Sequence, residues 1–141
     1  LQRPRHTYRN ILDTKAFTVN IPSEKYVRET DFFGMVSGKD SDKLAAAGLT
    51  PVKAAKVNAP FGDEFPVVLE CRLLQTLELG LHTQFIGEIL DVRVDEAVLG
   101  PDGKPEIGRV RPFIYDSARQ EYRAIGRLIG KAFSAGKDLK R

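Results

Sequence analysis

One cysteine, one methionine, two histidines and no tryptophan in 141 residues leave this chain few of the side chains from which redox and metal sites are usually built. The lone thiol, Cys71, excludes an internal disulfide and any site needing several thiolates. Its place on the apolar face of an alternating pattern reads as an inert buried thiol. His6 and His82 belong to no Ser-His-Asp trio or metal-ligand spacing, and no paired-carboxylate signature appears. No apolar run approaches the roughly 18 residues that a helical membrane span needs. There is no charged region followed by an apolar run to mark a secretory signal, so the expected compartment is the cytoplasm. The chain begins at Leu1 without a methionine, which sets the expectation that its true start lies upstream.

Aromatics make up 9% of the chain, and the net charge of +3 is concentrated at the two ends. Arg3, Arg5, Arg9 and Lys15 stand against Asp13 at the start; Arg123, Arg127, Lys131, Lys137, Lys140 and Arg141 stand against Asp138 at the end. Two basic ends suit nucleic acid, a phosphorylated cofactor or solubility alone. Tyr8, Tyr122 and Phe133 interleave too thinly with them to form stacking platforms, which argues against nucleic acid.

What the chain has is one long alternating stretch, Val67 to Val94. Val67, Leu69, Cys71, Leu73, Leu77 and Leu79 share one phase, with Glu70, Arg72, Thr76 and Glu78 in the other, as in a half-buried strand. Gly80-Leu81 offers a turn, and Leu90, Val92 and Val94 mark the return strand. The phase slips around Gly87-Glu88-Ile89, which predicts a β-bulge there. His82, Gln84 and Glu88 are polar positions in that otherwise apolar strand.

Around this hairpin the smaller elements fall in order. Thr7 reads as the cap of a short helix through Ile11 and Leu12 to Thr14. With Arg5 two residues earlier, it offers free N–H groups, a hydroxyl and a guanidinium to an anion; the plainer reading is an ordinary cap beside a solvated Arg. Phe17–Ile21 reads as a strand stopped by Pro22. Asn20, partly buried at its end, needs partners for its amide, from backbone or from a ligand's polar edge. Ser23 caps a helix over Glu24–Met35 with Tyr26, Thr30 and Phe33 along one side. The polar loop Ser37–Lys43 leads into a short helix ending at Gly48; its glycine spacing is not that of a nucleotide-triphosphate loop, but its Ser, Gly and Lys residues suit a phosphate as well as a solvated turn.

Beyond Gly48 the pattern predicts a short strand at Lys53–Val57, one helical turn at Asp95–Leu99, a turn cluster at Gly100–Pro105, and extended pieces at Pro112–Tyr115 and Glu121–Ile125. The tail from Gly126 carries Leu128, Ile129 and Phe133, apolar enough to dock on its own barrel or on a neighbour. The chain therefore reads as mainly β, an antiparallel barrel with two or three short helices.

Three segments carry a resemblance to a known family. Phe17-Thr18-Val19-Asn20-Ile21-Pro22, the Ser37-Gly38 to Asp42-Lys43 loop followed by Gly48-Leu49-Thr50, and Gly80-Leu81-His82-Thr83-Gln84-Phe85-Ile86-Gly87-Glu88 together resemble the flavin reductase-like family. Gly130-Lys131-Ala132-Phe133-Ser134 is similar to its flavoredoxin branch. The resemblance spans essentially the whole chain and implies a single FMN-binding domain over residues 1–141 with the split β-barrel fold, antiparallel and of Greek-key type. It implies non-covalent FMN in a groove at a homodimer interface, NAD(P)H as electron donor, and a redox protein among the acceptors.

By the same resemblance, the family's phosphate turn falls on Arg5-His6-Thr7, and Ser37, Gly38 and Lys43 add polar contacts, Lys43 foremost. Asn20 faces the ribityl or ring edge, and His82 is the catalytic-side residue near the nicotinamide pocket. Gln2 stands where many relatives have a further Arg. The family's barrel strands that precede the phosphate turn have no counterpart here: either they lie outside this chain or the protein is a truncated relative. The alternative reading is a non-catalytic β-barrel module that binds nucleic acid or an acidic partner.

Overall fold

The computed structural model describes residues 1–39 and 42–139. Helix α1 (His6–Thr14) comes first and stops where Lys15 turns left-handed, at φ 54°. Strand β1 (Ala16–Ile21) follows and is closed by Pro22, which has no N–H to extend the ladder. A 3₁₀ turn (Glu24–Tyr26) feeds helix α2 (Val27–Met35), with Ser23 at its start making no side-chain cap. Helix α3 (Lys43–Ala46) is a single turn capped by Asp42, whose carboxylate accepts from the Ala45 N–H at 3.2 Å.

Strands β2 (Pro51–Lys53) and β3 (Pro60–Gly62) pair with each other. The long hairpin is β4 (Val67–Leu79) and β5 (His82–Val94), joined by Gly80-Leu81 as the pattern predicts. Gly80 has φ 59°, a conformation that favours glycine at the head of a two-residue loop. After a 3₁₀ turn at Glu96–Val98 come helix α4 (Ile107–Val110) and a second hairpin, β6 (Phe113–Asp116) with β7 (Glu121–Ala124). The two extended pieces read separately from the sequence are thus partners. Every strand pairing among the described residues is antiparallel. Strand β4 lies between β1 and β5, so the chain makes a long excursion through α2, α3, β2 and β3 before returning to pair with β1. No described helix is long and apolar enough to cross a membrane.

The start of β4 corrects the alternation reading. Val67 packs with Val98 and Val110 on one side, while Val68, 0% exposed, packs with Leu49, Ala54, Phe61 and Phe65 on the other. Burial on both faces erases the period-two signal there. Glu70, assigned to water by that alternation, is only 3% exposed. Its two carboxylate oxygens accept the N–H groups of Ala55 (3.1 Å) and Lys56 (2.6 Å). A buried carboxylate persists because those bonds replace its hydration, each of the charge-assisted kind. Consequently residues 55–58 form a bend held down by Glu70, not the strand predicted over Lys53–Val57.

The predicted phase slip exists but sits slightly elsewhere. Leu90 is the extra residue on β5, between the pairs Glu70–Asp91 and Cys71–Ile89, and Leu74 is a second extra residue on β4. Gly87 stays in register with Leu73; a Cβ there would come within 2.5 Å of the Phe17 ring, so its glycine serves packing. Past these irregularities the hairpin projects, with Leu74, Leu79, Leu81 and Ile89 exposed. In the tail Leu128, Ile129 and Phe133 are exposed as well, Phe133 at 99%, so they do not dock on the described part of their own chain.

Candidate functional site

The site begins at the head of α1. The chain turns through Gln2–Arg5, where the Arg5 N–H donates to the Gln2 carbonyl at 3.1 Å, and enters the helix two residues earlier than predicted. Arg5, not Thr7, takes the cap position, with φ −69° and ψ 137°, and no side chain caps the helix. The N–H groups of His6 and Thr7 therefore have no partner among the described residues, as helix geometry dictates for the first turn. Thr7, as the second helical residue, keeps a hydroxyl free of described bonds.

The loop after α2 closes over this helix end. At Gly38 an added Cβ would lie 3.1 Å from Cδ2 of the His6 ring, so the missing side chain lets the loop backbone settle on the imidazole. The Ser37 hydroxyl accepts the Lys39 N–H at 3.2 Å. Asp40 and Ser41, at the middle of the predicted Ser37–Lys43 loop, lie outside the described residues. Lys43, first residue of α3, is half-buried and donates to the Phe33 carbonyl at 2.7 Å. Burial first, and the neighbouring Arg5 cation second, push its pKa below the ordinary lysine value.

These pieces enclose one cavity of about 280 Å³, whose wall includes Arg5, His6, Thr7, Ser37, Gly38 and Lys43. Five of the seven residues singled out from the sequence thus meet in one place, brought there by α1, the 37–39 loop and α3. Among the described residues its lining has two fixed cations and no carboxylate. A second compartment of about 370 Å³ shares Thr7, Phe33 and Lys43 with the first and continues past Asn20, Thr30, Phe61 and Phe65. Asn20 satisfies most of its amide internally: Oδ1 accepts the Gly62 N–H at 3.2 Å and Nδ2 donates to the Thr18 hydroxyl at 3.1 Å. One of its amide N–H bonds is left over for the compartment it lines.

His82 lies outside both compartments. It is exposed at the first position of β5, with Gln2 bridged to it through the backbone. Nearby, Glu78 accepts from Arg3 at 2.7 Å and from the Thr83 hydroxyl at 3.1 Å, tying the hairpin tip to the turn before α1. Wall residues without an assigned role in the sequence reading include Thr30, Phe33, Phe61 and Phe65. The periodicity of α2 had placed Thr30 and Phe33 on one side, and that shared side is the signal that finds them.

Known proteins share this fold. Residues 1–125 match the family described as flavin reductase like domain. Flavoredoxin of Desulfovibrio vulgaris (Miyazaki F) is 49% identical with a TM-score of 0.92, covering 97% of this chain and 73% of that one. Flavoredoxin from Methanosarcina acetivorans is 31% identical with a TM-score of 0.92, covering 99% and 73%. A flavin reductase-type protein with a split barrel domain from Shewanella frigidimarina NCIMB 400 is 27% identical with a TM-score of 0.78, covering 93% and 67%. Among curated sequences, a protein of Archaeoglobus fulgidus is 36% identical over 103 residues, 73% of this chain. A protein of Aquifex aeolicus is 31% identical over 130 residues, 92% of this chain. The chain spans only 57% and 60% of the length of those two relatives. The antiparallel sheets described above are those of a split β-barrel.

Proposed function

Since this chain belongs to the flavin reductase-like domain family, in its flavoredoxin branch, we propose that it holds FMN without a covalent bond and serves as an NAD(P)H-dependent flavin oxidoreductase. The observation that carries the reading is the convergence of Arg5, Thr7 and Lys43 on one cavity at a helix N-terminus, lined by no carboxylate among the described residues. The donor set fits a phosphate dianion: two free N–H groups, a hydroxyl, a guanidinium and an ammonium. Arg5 and Lys43 would hold the phosphate by charge, and Thr7 by its hydroxyl. The second compartment suits the rest of the molecule, with the spare Asn20 N–H for a polar edge and Phe33, Phe61 and Phe65 as walls that exclude water.

When bound, FMN supplies the redox chemistry, accepting hydride from the nicotinamide nucleotide and releasing electrons to an acceptor. The residues of this chain position and desolvate; none is needed as acid or base for that transfer. In this reading His82 belongs to the nicotinamide side, at the rim where β5 meets Gln2. A second copy of the chain completes the groove, as the apolar hairpin and tail left exposed suggest. Acceptors of the right class are free flavin, a metal ion, dioxygen or a redox protein.

Titration of the purified protein with FMN, followed by flavin fluorescence, tests the reading. Saturable binding with one flavin per chain is expected. Flavin fluorescence unaffected by a large excess of protein would remove the basis for the reading.

A further inference from the structure

Strand β1 brings two polar side chains, Thr18 and Asn20, to one face, at the two-residue spacing that keeps strand neighbours on the same side. Both reach β3. The Thr18 hydroxyl donates to the Pro60 carbonyl at 2.6 Å and accepts from Asn20 Nδ2 at 3.1 Å. Asn20 Oδ1 accepts the Gly62 N–H at 3.2 Å. Asn20, Pro60 and Gly62 line the larger compartment, whereas Thr18 lines a neighbouring cavity of about 290 Å³ with Asn58, Ala59 and the same Pro60. Thr18 is thus one hydrogen bond removed from anything held beside Asn20.

Chemistry fixes the direction of these bonds. A carbonyl only accepts, so the single hydroxyl proton of Thr18 is committed to Pro60. The hydroxyl oxygen then meets Asn20 as an acceptor, which requires the amide nitrogen on that side. The Gly62 N–H only donates, which requires the amide oxygen on the other. A flipped amide would face the Gly62 N–H with another N–H and would draw the Thr18 proton away from Pro60. Asn20 accordingly offers the compartment its second Nδ2 hydrogen, a donor with no partner among the described residues.

We infer that Thr18 is a positioning residue for the flavin site: its hydroxyl holds Asn20 as a hydrogen-bond donor aimed at an acceptor atom on the flavin ring edge. The inference rests on the flavin reading for the identity of the ligand. Acceptor atoms of the ring gain negative charge when the flavin takes up electrons, and a donor held against them binds the reduced ring more tightly than the oxidised one. Thr18 therefore raises the midpoint potential of a cofactor that it does not touch.

The test compares wild type with Thr18→Val, which keeps the branched shape that a strand favours, and Thr18→Ser, which restores the hydroxyl. Two quantities are read: the midpoint potential of bound FMN, and the NMR signals of the Asn20 side-chain amide in flavin-free protein. Thr18→Val should lower the potential, equivalent to about a fivefold weaker hold on reduced relative to oxidised flavin, the size of one net hydrogen bond. In the same variant the Nδ2 proton bonded to Thr18 should exchange faster with solvent. Thr18→Ser should recover both values. In an Asn20→Ala background, Thr18→Val should move the potential no further, because Thr18 acts through Asn20. An unchanged potential in Thr18→Val, an equal drop in the Asn20→Ala background, or a loss of FMN that Thr18→Ser does not reverse would overturn the inference while leaving wild-type FMN binding intact. A wild-type protein that binds no FMN would overturn the flavin reading and this inference with it.

Discussion

Individual residues divide into those whose type announced their role and those whose burial hid it. Arg5, Thr7 and Lys43 are polar or charged groups beside turns and helix starts, where the sequence itself says that N–H groups are unpaired. Their convergence follows from local rules plus one loop closure. Glu70 is the opposite case: alternation sent it to solvent, whereas the structure buries it against Ala55 and Lys56. No periodicity reveals a carboxylate that serves a bend fourteen residues away in sequence. Glu70→Leu should leave both N–H groups unsatisfied and cost about 1–3 kcal/mol for each, measured by urea unfolding; unchanged stability would show that the bend stands without it. For His82, exposed and outside the cavity, the expected outcome of His82→Ala is retained FMN with slower flavin reduction by NAD(P)H in stopped flow. Loss of FMN with a normal reduction rate once saturated would remove it from the nicotinamide side.

Elements formed largely where their patterns said, and the exceptions share a cause. Strand β1, the two arms of the long hairpin and the Gly80-Leu81 turn were legible, because one face or one glycine decides each. The bend at residues 55–58, the short strand β3 and the turn of α4 were not, because each is a few residues long and is fixed by contacts from elsewhere in the chain. Bulging at Leu90 instead of Gly87–Ile89 has a similar origin: Phe17 occupies the space over Gly87 and keeps that residue in register. Near the hairpin tip, Glu78 is held below the usual carboxylate range, first by its hydrogen bond to Arg3. A depressed folded pKa means that the contribution of this tie is present above the unfolded carboxylate pKa and is lost as pH falls through the folded one. Amide protection factors at the tip and at residues 1–5, taken relative to the intrinsic exchange rate at each pH, should therefore fall on acidification, and Glu78→Gln should remove that dependence; wild-type protection that does not change with pH would contradict it.

At the scale of the whole molecule, the apolar surface on the hairpin and tail is what a single copy leaves unsettled. Leu81 at 83% and Phe133 at 99% exposure are costly in isolation, and the proposed two-fold partner would cover them. Light scattering at micromolar concentration should report a dimer, weakened by Leu79→Asp; a monomer that still binds flavin would argue that the groove needs no second chain. The central claim is that the cavity between α1, the 37–39 loop and α3 holds the flavin's phosphate. Its most direct measurement is the ratio of FMN to riboflavin affinity in wild type and in Lys43→Ala, taken across alkaline pH. Lys43 loses its proton below the ordinary lysine value, and an anion needs the cation, so the wild-type preference for FMN should fall as pH rises through that depressed value. Lys43→Ala should lose about 1.5–3 kcal/mol of FMN binding and none of riboflavin binding. Equal losses for both flavins, or a wild-type ratio near one at neutral pH, would contradict the account.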